Sequence, residues 1–356
     1  PLDSSGHEPP VTVVRRAVRG GPGAARNTAA RLATSELLAF LDSDVSCPPG
    51  WLDGLLGHFG DPDVVAVAPR VVSAPAHGLA GLVETQRCAL DLGEAPAVVR
   101  PGSAVPFVPT AALLVRRAAF EAVGGFDESL PLGEDVELLR RLGEHGGVRY
   151  EPRVTVLHAP RRQLRAVLGR RFRYGTSAAV LDELRPGSVR HLDTSIWGVA
   201  PLLVAAVHPL AGAGCAAGLV VVAPRSLGRL GLPPSTARSL AWRGQVSAAR
   251  GVARFAVRPF LPLLCAAVAF RPLRRRALSL AAAGLLVEIM QEGRLPPEPV
   301  RRLMATFLDD LAYGSGVLWG CAARRRSGPL RPRLGGLRRT IRPAGQRAAR
   351  PARAPA

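Results

Sequence analysis

Asp42 and Asp44 stand one residue apart at the end of a short apolar run, Leu37-Leu38-Ala39-Phe40-Leu41. In an extended chain residues i and i+2 point to the same side, so the two carboxylates can face one point in space. A hard divalent cation suits such a point, since Mg²⁺ is commonly held by one or two carboxylates while substrate phosphates supply its other oxygens. A strand followed by an ordinary Asp/Ser turn has the same pattern, and the surrounding chain must decide between the two. Ahead of it lies Gly20-Gly21-Pro22-Gly23-Ala24-Ala25-Arg26-Asn27, a Gly-rich turn opening an Ala-rich helix to about Ser35. A helix N-terminus offers free backbone N–H groups to a phosphate, and Arg26 adds charge; a plain loop-to-helix turn is the simpler alternative.

The elements that must position these residues alternate. Val11–Val14 has the composition of a short strand, followed by the Gly-rich helix and a buried strand over residues 37–41. Pro48-Pro49-Gly50-Trp51-Leu52 starts a helix with Trp51, Leu52, Leu55, Leu56 and Phe59 apolar. Val64–Val72 and Phe107–Val115 read as further strands, with a loop-rich stretch carrying one helix between them. A short helix from Arg117 stops at Gly124-Gly125, and Gly133-Glu134-Asp135 opens another. Val154–His158 is a last short strand. The alternation predicts an α/β fold whose sheet has a substantial parallel part.

Composition separates the halves. The 356 residues contain no lysine and carry a net charge of +20. Residues 1–150 hold 13 Arg against 18 Asp and Glu, whereas residues 151–356 hold 34 against 9. The basic half interleaves its arginines with apolar runs and has few aromatics, which suits a membrane surface and argues against nucleic acid as a partner. Ile196–Ala223 is 28 residues without formal charge, interrupted by Pro201 and Pro209: one kinked membrane span or a short re-entrant hairpin. Pro259–Phe270 and Ala277–Met290 are shorter apolar runs, each short for a span. Val300–Trp319 has the pattern of an amphipathic helix. The tail from Arg324 is Arg/Pro/Gly-rich and is expected to be disordered. The five cysteines are widely spaced with no C-x-x-C, so neither a zinc site nor a disulfide framework is expected.

Taken in order, the Gly-rich A-R-N turn, the strand ending in Asp42-Ser43-Asp44, the Trp51-Leu52 helix, the segment Arg116 to Glu128 (R-R-x-x-F-x-x-x-G-G-F-D-E) and Gly133-Glu134-Asp135 resemble the family 2 glycosyltransferases of the GT-A fold. More narrowly the chain is similar to the mycofactocin-system glycosyltransferases. Ala68-Pro69-Arg70, Val108-Pro109-Thr110, Arg149-Tyr150-Glu151-Pro152, Tyr174-Gly175-Thr176-Ser177 and Leu308-Asp309-Asp310-Leu311-Ala312-Tyr313-Gly314 extend the likeness to about residue 333.

The resemblance implies a Rossmann-like nucleotide-diphospho-sugar transferase domain over residues 1–160. A basic, apolar, mostly α-helical membrane-associated region would follow over 161–323, with the tail beyond it. It implies an inverting transfer of a sugar, glucose from UDP-glucose in the mycofactocin case, onto the hydroxyl of that peptide-derived redox cofactor. A cell-envelope polysaccharide or lipid-linked acceptor, or a non-catalytic homologue, are the alternatives. Asp44, Asp42 and His158 would hold Mg²⁺ or Mn²⁺. Gly21, Gly23, Arg26, Asn27 and Asp42 would lie along the nucleotide. Asp135, with Glu134 as substitute, would be the base, kept ionised by its helix N-terminus. Arg170, Arg173 and Tyr174 resemble the Q/R-x-x-R-W motif, in which an arginine touches the diphosphate and the aromatic supports the acceptor; Tyr174 departs from its Trp. The enzyme would sit at the cell membrane with its catalytic domain cytoplasmic. Relatives begin with a strand and a V-V-D-D-G-S segment whose acid binds the nucleobase. Nothing before Val11 matches beyond Asp3-Ser4-Ser5-Gly6, so about two strands and the base pocket are expected to be lacking, and this chain to be a poor catalyst.

Overall fold

A computed structural model describes residues 11–335, apart from 102, 104, 131, 188, 229, 230 and 292–297, and leaves the side chains of residues 226 and 283–291 undescribed. The chain divides into two compact units, residues 1–177 with 300–309 and residues 178–299 with 310–356. Asp3–Gly6 and residues 336–356 lie outside the described residues.

The first unit is built on a mixed sheet. Strands β1 (Leu37–Leu41), β5 (Ala112–Arg116), β3 (Val64–Ser73), β6 (Gly147–His158) and β2 (Val45–Ser46) lie side by side in that order, and β4 (Ala97–Val98) also pairs with β6. The expected parallel character is confined to one pairing, β3 with β6; β5 runs antiparallel to both β1 and β3, and β2 and β4 run antiparallel to β6. Apolar runs reveal strands but not their direction, because β-branched residues fit either ladder. Val11–Val14, read as a strand, is exposed and unpaired among the described residues. The strand expected at 154–158 begins earlier, at Gly147, and its long reach matters. Its first half pairs with β4, while its last two residues, Leu157 and His158, pair with β2 immediately after the two aspartates.

Helices α1 (Gly21–Leu32), α2 (Asp53–Leu56), α3 (Gly78–Gln86), α4 (Arg117–Ala122), α5 (Glu134–His145) and the first part of α6 (Leu164–Leu184) complete this unit. The core is continuous through Leu38, Phe40, Val65, Ala66, Leu113, Val115, Leu138, Leu142, Val148 and Tyr150. Phe40, Phe120 and Phe126 form a ring cluster with centroids 5.2, 5.3 and 5.6 Å apart. Such edge-to-face packing adds directional preference to area burial. It anchors the end of β1, α4 and the G-G-F-D loop to one another.

The second unit is helical: α7 (Ile196–Val207), α8 (Pro209–Leu227), α9 (Pro234–Val257), α10 (Leu261–Ala269), α11 (Arg271–Gln291) and the later part of α12 (Pro299–Ala323). The uncharged run 196–223 is two helices packed against each other, not one span. Pro209 cannot donate an N–H and crowds the preceding turn, so the chain goes extended at His208 and restarts. Among the described residues no single helix is long and apolar enough to cross a membrane; one bent pair, Pro234–Val257 with Leu261–Ala269 at 58°, meets the requirement by length and composition. The stretch expected to be disordered from Arg324 instead carries a 3-10 turn at Gly328–Leu330 and strand β8 (Arg333–Gly335), parallel to β7 (Asp193–Ser195). His191 explains part of that order. One ring nitrogen meets the Pro329 carbonyl at 2.8 Å and the other the Tyr313 hydroxyl at 2.9 Å.

Candidate active site

The two aspartates do not continue the strand. The Val45 N–H donates to the Asp42 carbonyl at 3.0 Å, closing a turn over residues 42–45. The premise of an extended i, i+2 pair therefore fails, and the carboxylates take separate partners. Asp42 pairs with the Arg26 guanidinium, which also reaches Glu134 at 3.2 Å. Asp44 Oδ2 lies 3.3 Å from His158 Nε2 and 4.0 Å from Arg170 Nη2. Among the described residues no three acidic, imidazole or thiol side chains converge as a preformed cage. Asp42, Asp44 and His158 are thus neighbours by sequence and by the β2–β6 pairing, but only Asp44 and His158 share a point.

Each partner is placed by the fold. Gly21 opens α1 with φ +78, a conformation that disfavours a side chain. A Cβ on Gly23 would stand 3.2 Å from the Phe126 Cβ, so any side chain there would press on Phe126 by a few tenths of an ångström. Arg26, one turn on, lies over the Phe126 ring at 5.4 Å. Asn27 is buried and fully engaged. Its amide donates to the Phe126 carbonyl and to Glu128, each at 2.9 Å, and accepts from the Phe126 N–H at 2.8 Å. Both of its amide N–H bonds go to the 126–128 segment, which it positions.

His158 is buried beside the turn, and desolvation first of all lowers its pKa, against the pull of the Asp44 charge. A neutral imidazole is the form that ligates a cation. Asp135 is less acidic than its place at a helix N-terminus suggests. Its helix N-terminus and the Val136 N–H at 2.7 Å favour the charged form, yet desolvation, then the Glu134 charge, lifts its pKa to about 6. Part of its surface still reaches solvent. Burial of the Tyr174 phenol raises its pKa; the Arg170 charge lowers it and the Asp135 charge raises it. Arg170 and Tyr174, four residues apart on one face of α6, both turn toward the acids, whereas Arg173 is exposed.

Sequence reasoning missed two acids. Glu84 on α3 is buried, and its charge acts on both His158 and Tyr174. Its signal was a lone acid in an otherwise apolar helix, Gly78-Leu79-Ala80-Gly81-Leu82-Val83-Glu84. Asp309, part of a motif noted without a role, is fully buried against Arg171 of α6. A separate surface groove of about 510 Å³, lined by His58, Asp61, Arg149, Glu151 and Arg153 among others, includes none of the expected site residues.

Comparison with known proteins identifies the family. The model of the family described as "Glycosyl transferase family 2" matches residues 3–124. The pre-mycofactocin glycosyltransferase of Mycobacterium tuberculosis is 39% identical over 337 residues, covering 88% of this chain and 70% of that protein. The O-antigen biosynthesis protein RfbC of Myxococcus xanthus is 32% identical over 139 residues, covering 35% of this chain and 11% of its own length. Among solved structures, the mannosyltransferase PcManGT from Pyrobaculum calidifontis, in complex with GDP-Man and Mn²⁺, superposes with a TM-score of 0.43 at 19% identity, covering 86% of this chain and 69% of that one. Sequence identity of this extent over most of both chains settles the family: the protein belongs to glycosyl transferase family 2 and is a glycosyltransferase similar to the pre-mycofactocin enzymes.

Proposed function

We propose that the protein transfers a sugar, with inversion and with the help of a divalent cation, from a nucleotide-sugar to a hydroxyl acceptor. The donor in this reading is UDP-glucose and the acceptor the peptide-derived cofactor mycofactocin. The observation that carries the reading is the meeting of Asp44, His158 and Arg170, with Tyr174 one turn beyond Arg170 on α6. A carboxylate and a neutral imidazole at 3.3 Å suit Mg²⁺ or Mn²⁺, whose remaining ligands a diphosphate can supply. Asp44 and His158 would hold the ion, whose charge would offset that gathering on the departing diphosphate.

The chain's own residues do the rest. Arg170 places a further positive charge at the diphosphate. Arg26 holds Asp42 in an ion pair, and in this reading Asp42 would serve the ribose. Tyr174 supplies an apolar face with a polar edge for the acceptor. The acceptor oxygen attacks the anomeric carbon, the bond to the diphosphate breaks with its electron pair leaving on the diphosphate, and the hydroxyl proton passes to Asp135. A base with a pKa of about 6 is ionised at neutral pH and more basic than an ordinary aspartate, which is what proton abstraction requires.

For location, the reading is a membrane surface with the catalytic unit in the cytoplasm. It is supported by exposed Leu203, Val207, Leu210 and Val221 on α7 and α8 and by the arginines of the basic half. Release of UDP from UDP-glucose, followed with and without acceptor, tests the chemistry. Asp44→Ala and Asp135→Ala should each remove it, and turnover surviving both would refute the site.

A further inference from the structure

We propose that Asp309, far away in sequence, is a positioning residue of this nucleotide site: it fixes the rotation of α6 and thereby the aim of Arg170 and Tyr174. The inference rests on the reading of Asp44 and Arg170 as the diphosphate end of the site. Asp309 is 0% exposed and Arg171 3% exposed. The Asp309 carboxylate lies 2.6 Å from Arg171 Nε and 3.4 Å from Arg87 Nε, and Arg171 Nη2 donates to the Arg87 carbonyl at 2.6 Å. One carboxylate thus joins α12, α6 and the end of α3 within the first unit. Ala80, Val83, Val167 and Ala305, from the same three helices, form a buried apolar cluster.

Stability alone does not call for charges in such a place. Apolar side chains of similar volume serve a core as well or better, because burying ions costs desolvation. What a guanidinium and a carboxylate add is direction. Arg171 can meet Asp309 and the Arg87 carbonyl together only with α6 at one rotation about its axis. Successive helix residues are about 100° apart, so fixing Arg171 inward also fixes Arg170 and Tyr174. Those two then face the acids, with Arg170 at 4.0 Å from Asp44. Asp310, the next residue, pairs with Arg258 at 3.3 Å in the second unit, so the two adjacent acids have separate partners.

A double-mutant cycle tests the proposal, with calorimetric titration of Mn²⁺–UDP and Mn²⁺–GDP and thermal unfolding measured on the same samples. Asp309→Asn should weaken binding of the preferred nucleotide roughly 10-fold when Arg170 is present, but by no more than about 2-fold in the Arg170→Ala background. Arg171→Lys keeps the charge but loses the two-pronged reach, and should reproduce the weakening in a protein that folds; it stands in if Asp309→Asn does not. The proposal is overturned if these variants lower only the melting temperature, or if the losses in the double variant simply multiply. If Arg170→Ala and Asp44→Ala themselves leave nucleotide binding unchanged, the reading of the site falls first and takes this inference with it.

Discussion

Asp42 and Asp44 are the same residue type two positions apart, and the fold gives them different work. Asp42 is tied to the protein: Arg26 clasps it and Glu134 together, and the Phe126 ring lies under the guanidinium. Asp44 is about as exposed, 41% against 36% for Asp42, but its neighbours stand off at 3.3 and 4.0 Å, longer than a tight ion pair. One acid is already tightly paired within the protein; the other is only loosely held. Their partners, not their spacing, assign the roles, and the turn closed at Val45 is what separates them.

That contrast can be broken from several directions. The largest loss is expected at the base, where Asp135→Asn should lower the transfer rate by about 10²–10⁴-fold with little change in donor affinity. Asp44→Ala should cost about 10²–10³-fold and abolish the dependence on added cation, as read by initial rates across a Mn²⁺ titration. His158→Ala, on the same side, should weaken the cation's effect by about 10- to 100-fold. If Asp42→Asn proves as damaging as Asp44→Ala, the contrast fails.

The pH dependence sharpens the same picture. The base works ionised, so the rate should rise with pH through an apparent pKa near 6 and level off above it. The sign for stability is opposite. A carboxyl whose folded pKa is raised destabilises the fold when ionised, so Asp135→Asn should raise the melting temperature above pH 6 and lose that advantage as pH falls toward 4. A variant equally stabilised at pH 4 and pH 8 would place the effect elsewhere. The smallest effect on chemistry and a clear one on folding is expected from Asn27→Ala. It strands the buried Phe126 N–H at a cost of about 1–3 kcal/mol, measurable by denaturant unfolding.

Much of this was legible in the chain. The order of motifs gave the family, and the strands at 37–41 and 64–73 lie where their apolar runs end. Strand direction was hidden, because a run such as Val64–Val72 reads the same in either ladder. The pairing of β2 with the end of β6 was hidden too, since it joins residues more than a hundred positions apart, and it is what brings His158 to Asp44. The raised pKa of Asp135 was hidden for a physical reason. Its helix N-terminus is visible in sequence and lowers a pKa, while the burial that outweighs it belongs to the tertiary structure. Arg170 and Arg173 were indistinguishable by type, and only the rotation of α6 turns one to the acids and the other to solvent.

The central claim is that Asp44, and not Asp42, holds the cation and diphosphate. Mn²⁺ binding in the presence of UDP, followed by electron paramagnetic resonance on Asp42→Asn and Asp44→Asn proteins, tests it most directly. The account predicts at least a roughly 10-fold loss of bound Mn²⁺ affinity for Asp44→Asn and a change within about 2-fold for Asp42→Asn. Equal losses in the two variants, or a greater loss in Asp42→Asn, would contradict it.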